Sequence, residues 1–461
     1  MVSNILSEAV GTNMGVLTHH TEFVRLFLND NYYGVYHLTT QDDESWLRLK
    51  RRFPGPIYLG EALRRTWAPG HFRKAGDLDA LQYLQPIERM IAAMNADQST
   101  AQLSDLWSIL SKHAYANWLA AAAVTGSVHA DYSHKQLFYF DPTAGLLEPA
   151  MTDVNGYDFV PVLMEKNWRS MPDIPLNGMT YPLSNVALRD PHLRHLRNLA
   201  LFKAIRSVAS AKEQHSQLDA YYELIDRDAL ADRRKGALWA ANAGLQRFPY
   251  NNRHYGEAKR SVREWIVSRN AFLSEQLQST SVTIHQDDAA GGGQRSRLLI
   301  EVFGHSAVQF DVASIGTSLQ HDRDGDGVTE THTTELLLLH PGLALKTRDF
   351  HPRLNAKGLT PRHVIDGGVE RYLFTLYAGD SEVAARLADA FTNAVTGQKI
   401  TPKISRRKLT ATELERNGVS VHPWQFAVQP EGMQQLGPGV VELRNDLEIG
   451  PKQSLFVEPG T

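Results

Sequence analysis

Asp131 and Asp153 stand on either side of a stretch that reads as a β-hairpin. The apolar run Leu137–Phe140 predicts a buried strand. Asp141-Pro142-Thr143-Ala144-Gly145 predicts a turn, because proline presets one turn dihedral and glycine accepts positive φ, and Leu146–Met151 predicts the returning strand. Phosphoryl transfer needs that layout: one carboxylate near the attacking hydroxyl, another holding the metal on the phosphates, and a rigid connection between them. The same residues also describe a surface hairpin with turn aspartates.

A second oxygen-rich motif runs from His321 through Asp322-Arg323-Asp324-Gly325-Asp326-Gly327-Val328-Thr329 to Glu330. Aspartates at alternate positions followed by glycine are how a short loop wraps a hard cation. The spacing makes Asp322, Asp324, Asp326, the Val328 carbonyl and Glu330 the Ca²⁺ ligands of a structural site; the alternative is a solvated acidic turn. The bidentate glutamate that ends a full helical calcium hand is missing, since Thr333 holds that position and Glu335 lies two further on. No G-x-S-x-G elbow, phosphate-loop or H-E-x-x-H motif occurs. His192 and His195 have no carboxylate at metal-ligand spacing and read as solvated helix-face residues.

The elements that must position these residues follow from the periodicity. Residues 3–15 predict a helix, Glu22–Leu28 and Tyr32–Leu38 a hairpin closed by Asn29-Asp30-Asn31, Asp43–Arg52 a helix and Gly55–Gly60 a short strand. Asp77–Asn95, Leu103–Val124, Asp190–Ser210, Leu218–Leu230 and Ala258–Ser279 predict helices. Beyond the polar, glycine-rich Gln286–Gln294 the pattern is mostly β, with strands expected at Arg297–Phe303, Ala307–Val312, Thr334–His340, Glu370–Tyr377, Gln425–Val428 and Val440–Arg444, and a helix at Asp380–Thr396.

A chain of 461 residues exceeds one ordinary core, so two or three domains are expected. With 42% hydrophobic and 21% charged residues it has the composition of a folded soluble protein. A net charge of -3 gives no support for nucleic-acid binding. The absence of cysteine excludes disulfides, thiolate metal sites and cysteine nucleophiles without fixing the compartment. No run approaches membrane-spanning length and no secretory signal is present. The chain reads as a segment of a longer protein, with any signal peptide outside it.

Several segments, in order, resemble the spore-coat CotH kinase family, a divergent branch of the protein-kinase-like fold, over roughly the first 280 residues. FVRLFLNDNYYGVYHL (Phe23–Leu38) is similar to the family's strand–turn–strand. QDDESWLRLKRRF and then GPIYLGE resemble the following helix and the strand that carries an ATP-contacting lysine. His129-Ala130-Asp131 resembles the catalytic loop, LFYFDPTAG the hairpin after it, and TDVNGYD the metal-binding segment. The resemblance implies that Asp131, with His129 in the same loop, orients or deprotonates the acceptor. It implies that Asp153 holds Mg²⁺ on the nucleotide phosphates, with Asn155 in place of the family's second aspartate. The family's downstream asparagine falls at Lys135 or Gln136, and Gln136 is the cofactor-binding candidate. Two positions depart: the family's glutamate is Thr40 and its lysine is Leu59, so a cation must come from elsewhere, such as Arg48, Lys50 or Lys74. The C-terminal GVVELRNDLEIGPKQSLFVEPGT resembles the lead into a right-handed β-helix in surface members.

The expected architecture is α+β: a CotH-type, protein-kinase-like domain over 1–283, a glycine-rich linker over 284–295, and a β-rich, sandwich-like domain with the calcium loop over 296–461. The resemblance implies an atypical kinase-like transferase using ATP and Mg²⁺ on a protein acceptor, within a secreted or cell-surface protein. Thr40 and Leu59 point instead to a catalytically degenerate pseudokinase or adhesive module. Transfer of a group other than phosphate is also compatible with them.

Overall fold

The computed structural model describes residues 2–60, 68–69, 72–75, 84–96, 100–127, 136–152, 154, 157, 182–233, 251–287, 296–321, 330–332, 336–348, 362–376, 386–415, 433–436 and 454–457. The chain divides into two compact units. One comprises Met1–Leu188, Leu199–Glu275 and Leu345–Ile365, the other Arg189–Asn198, Gln276–Ala344 and Asp366–Thr461.

The first unit opens with α1 (Val2–Asn13), β1 (Leu17–Thr18) and the hairpin β2 (Thr21–Leu28) and β3 (Asn31–Thr39). Asn29 and Asp30 take φ of 49° and 62°, the left-handed pair that a two-residue hairpin turn requires. Then come α2 (Glu44–Leu49), capped by Asp43 through a bond from the Trp46 N–H at 3.1 Å, and β4 (Ile57–Gly60) and β5 (Phe72–Ala75). Helices α3 (Gln85–Asn95), α4 (Thr100–Trp107) and α5 (Lys112–Thr125) lead to the hairpin β6 (Gln136–Asp141) and β7 (Leu146–Met151). The single helix expected over Leu103–Val124 is two. Leu147 N–H donates to Ile109 O at 2.7 Å and Ser111 N–H to Leu147 O at 2.9 Å, so the backbone between α4 and α5 is claimed by β7, and Ser111 caps α5. Five strands form one sheet in the order β1-β7-β6-β4-β5, with β1 parallel to β7 and the other pairs antiparallel. The unit continues through α6 (Pro182–Ala187), the later part of α7 (Pro191–Ile205), α8 (Ala211–Ala231) and nearly all of α9 (Asn252–Gln278). Buried Leu6, Leu218, Tyr222, Ile225, Trp265 and Ile266 form one apolar cluster among α1, α8 and α9.

In the second unit, β8 (Ser281–Asp287) pairs in register with β9 (Ser296–Gly304). The glycine-rich stretch expected to link two domains therefore joins neighbouring strands of one sheet, and residues 284–287 are strand. The remaining strands are β10 (Val308–Asp311), β11 (Leu319–His321), β12 (Glu330–His332), β13 (Leu336–Leu339), the start of β14 (Gly342–Arg348), β15 (Arg362–Leu376) from Asp366 on, β16 (Phe391–Asn393) and β17 (Lys403–Arg406). A short helix α10 (Ala411–Glu415) and the parallel pair β18 (Met433–Leu436) and β19 (Ser454–Val457) follow. The sheet β13-β10-β16 and the larger sheet carrying β8, β9, β11 and β15 bury one common core, including Ile284, Ile300, Phe310, Leu337, Phe374 and Phe391, which is a sandwich-like arrangement. The helix expected at Asp380–Thr396 gives way to strand β16, where Phe391 stacks on Phe310 with centroids 4.6 Å apart. That core contact overrides a helical period. His195 is not a solvated helix-face residue: its Nδ1 is shut off from solvent without a hydrogen-bond partner among the described residues, and its ring lies 6.0 Å from that of buried His340.

Candidate functional site

The segment carrying Asp131 leaves from the end of α5, and the fold fixes that exit closely. Gly126 turns the chain with a φ of 62°, and the Gly126 and Ser127 N–H groups bond back to Ala123 O and Ala122 O. Trp265 of α9 occupies the space of a side chain at 126, since a Cβ there would meet its ring at 2.6 Å. The buried Arg269 guanidinium donates to Ala123 O at 2.8 Å, satisfying a carbonyl at the C-terminal, negative end of α5.

The segment carrying Asp153 leaves from the end of β7, and the described residues that follow Asp153 are tied to that same helix end. Ser127 Oγ donates to Val154 O at 2.5 Å, and Tyr157 N–H donates to Thr125 O at 2.6 Å. Val154 and Tyr157 are buried. Tyr157 holds a φ of 57°, a strained backbone for an aromatic residue. Its ring meets Trp265 edge-on at 5.3 Å, and its hydroxyl donates to Gln214 Oε1 at 2.8 Å while Gln214 Nε2 donates to Ala209 O. Burial raises the Tyr157 pKa well above its ordinary value, so the hydroxyl stays a donor.

His129, Asp131, Asp153 and Asn155 lie outside the described residues. Their flanks, Ser127, Val154 and Tyr157, are the residues brought together. Gln136 is described: it opens β6, is buried, and pairs with Gly60 of β4. The sequence alone does not mark Ser127 and Tyr157 as site residues. The signals for them were a Gly-Ser step closing an alanine-rich helix and a large aromatic directly after Asn-Gly.

Leu59 sits on β4 in a row across the sheet with Leu137, Ala150 and Leu17, and packs on the cluster that includes Trp46 and Ile57. An ammonium at that position would enter apolar surroundings, which is costly without a partner. Thr40 closes the base of the β2–β3 hairpin, where its Oγ1 accepts from His20 N–H and its own N–H donates to His20 O, both at 3.1 Å. Of the other candidate cations, Arg48 pairs with Glu44 on the exposed face of α2, and the Lys74 side chain lies outside the described residues. Lys50 is half-buried, and its Nζ donates to Thr18 Oγ1 at 3.2 Å.

Asp322, Asp324, Asp326 and Val328 also lie outside the described residues, as does the Glu330 side chain. The strands flanking them are described: β11 and β12 pair antiparallel from Leu319↔His332 to His321↔Glu330, so the acidic stretch connects two strands. Among the described residues no group of three or more His, Asp or Glu is arranged to hold a metal ion. No helix among them is long and apolar enough to cross a membrane.

A protein-family model described as CotH kinase protein matches residues 1–273. No curated protein matches the chain.

Proposed function

Because the chain belongs to the CotH kinase family, with a kinase-like first domain, we propose that it is an atypical transferase that uses ATP and Mg²⁺ to modify a protein acceptor. The observation that supports this most is the pair of bonds from Ser127 to Val154 and from Tyr157 to Thr125. They join the root of the segment bearing Asp131 to the residues that follow Asp153, and proximity of those two carboxylates is what phosphoryl transfer requires. In this reading Asp131, with His129 beside it, orients the acceptor hydroxyl and takes its proton. Asp153 and Asn155 hold Mg²⁺, for which a carboxylate and an amide oxygen are suitable hard ligands. The metal supplies charge neutralisation on the phosphates when bound. Gln136, at the start of the intervening hairpin, is the remaining cofactor-binding candidate. The loop of Asp322, Asp324, Asp326, Val328 and Glu330 binds Ca²⁺ and braces the β11–β12 connection. Display on a secreted or surface protein is part of the proposal, and the parallel pairing of β18 with β19 supports the likeness to the lead into a β-helix.

A second reading, a catalytically degenerate module, is favoured by Leu59 within an apolar row and Thr40 closing a hairpin. Transfer of a group other than phosphate fits the same departures. Thermal unfolding with and without ATP and Mg²⁺ decides first. A native-state ligand at about 100 times its Kd adds about 2.7 kcal/mol of stability. The expected result is a metal-dependent rise in Tm for the wild type that Asp153→Ala loses. No rise in the wild type would falsify the nucleotide-dependent reading and leave the non-catalytic one.

A further inference from the structure

A cleft of about 700 Å³ lies between α1, the base of the β2–β3 hairpin and α8, and Lys50 at the end of α2 opens into it. Lys50 is held there from one side by Thr18, whose own hydroxyl is 2.6 Å from that of Thr12. Trp46, four residues earlier on the same short helix, donates its indole N–H to Thr18 O at 2.9 Å. Thr18 therefore holds the ammonium directly and the helix that carries it through Trp46. Thr18 is in parallel register with Met151. Met151 ends β7 two residues before Asp153, so one end of one sheet delivers both the Lys50 ammonium and the strand that leads into the proposed metal ligand.

Buried Glu8 of α1 lines the same cleft and its charge favours the protonated lysine, against a burial that lowers the Lys50 pKa more. Across the cleft Gln217 of α8 has a buried Oε1 with no hydrogen-bond partner among the described residues. A ligand with an anionic end and a hydrogen-bond donor at the other would satisfy both. Phosphoryl transfer also needs a fixed cation on the phosphates close to the metal-binding carboxylate, and the apolar row around Leu59 offers none.

We propose that Lys50 is the phosphate-binding cation of this chain, with the nucleotide lying in the α1–α8 cleft, its phosphates at Lys50 and its amino-bearing base towards Gln217. This rests on the nucleotide-dependent reading above. The test is equilibrium binding of a fluorescent ATP analogue with Mg²⁺, competed by ATP and separately by adenosine, in the wild type, Lys50→Met, Lys50→Arg and Asp153→Ala. Lys50→Met should weaken ATP tenfold or more while leaving adenosine within twofold, and Lys50→Arg should restore part of the loss. A packing role would weaken ATP and adenosine alike. If Asp153→Ala abolishes Mg²⁺-dependent binding while Lys50→Met binds ATP like the wild type, the cation assignment is wrong and the nucleotide reading stands. If the wild type binds neither ligand, both fall. Acetylation of the wild type, read by mass spectrometry, avoids dependence on a variant that folds poorly. Mg²⁺ and ATP should protect Lys50 several-fold and adenosine should not; labelling at the same rate in all three states overturns the proposal.

Discussion

Gly126 and Tyr157 both hold left-handed backbone, and they do so on the two segments whose ends meet beside Ser127. At Gly126 the reason is space as well as dihedral, because the Trp265 ring fills the volume of a Cβ. Gly126→Ala should cost about 2–4 kcal/mol, combining the left-handed penalty with overpacking. Urea unfolding of the apo protein measures it, and a loss under ~0.5 kcal/mol, the range of an indifferent surface change, would show that α9 yields. Ser127→Ala removes a donor and leaves the buried Val154 carbonyl without that bond, so a cost of about 1–2 kcal/mol is expected. The more telling consequence is functional. If this bond sets the spacing of the two acidic segments, Ser127→Ala lowers Mg²⁺-dependent nucleotide stabilisation beyond its effect on apo stability. Ser127→Thr, which keeps the hydroxyl, restores much of it.

At the scale of elements, the first turns of α7 carry a buried polar layer of the second unit. Arg194 donates to Pro341 O at 2.8 Å, Asn198 to His305 O at 2.8 Å, and the Tyr372 hydroxyl donates to His340 O while accepting from His340 N–H. His195 faces His340, with His192 and Arg194 near on its own helix. Burial first, and His192 second, push its pKa from 6.5 down to about 4. The unfolded chain therefore takes up a proton on this residue before the folded one does. Its contribution is complete above about pH 6.5 and lost as pH falls towards 4, on the order of 2–3 kcal/mol after allowing for partial exposure. His195→Leu should flatten the dependence of the urea midpoint between pH 7 and pH 4.5, and an unchanged slope would assign it to other groups. None of this was legible in the sequence, where His192 and His195 show only helical spacing. Local chemistry was legible where it is decided locally: Asn29-Asp30 as a hairpin turn, Asp141–Gly145 as the next, and a helix beginning at Asp43, which caps it. It failed where a distant partner decides, as at Leu110, which leaves a helical run because β7 binds the backbone beside it, and at Phe391, which is drawn into the sandwich core. At the candidate site, the flanking hairpin was readable from pattern. The contacts of Tyr157 with Trp265 and Gln214 and of Lys50 with Thr18 join residues far apart in sequence, and no local pattern carries them.

For the whole molecule, the two proposed ligand sites belong to different units. ATP and Mg²⁺ are assigned to the first, through Asp153 and Lys50; Ca²⁺ is assigned to the second, through the stretch between β11 and β12. A hard cation on that loop would neutralise Asp322, Asp324 and Asp326, whose mutual repulsion otherwise opposes a tight connection between paired strands. The register from Leu319↔His332 to His321↔Glu330 would then be harder to open. Because a ligand stabilises only the state that binds it, hydrogen exchange read by peptide should separate the two sites. Ca²⁺ should slow exchange in β11 and β12, while ATP with Mg²⁺ should slow it in α1, α8, β7 and the turn at Gly126. Asp326→Ala should abolish the first effect without touching the second, and Asp153→Ala the reverse. Calcium-induced protection that persists in Asp326→Ala would remove the loop from the site. If no protection appears in the wild type at millimolar Ca²⁺, the acidic stretch is only a solvated turn, and its aspartates act on this unit through their repulsion alone. In that case Asp326→Asn should raise stability slightly at low ionic strength, and added salt should erase the gain.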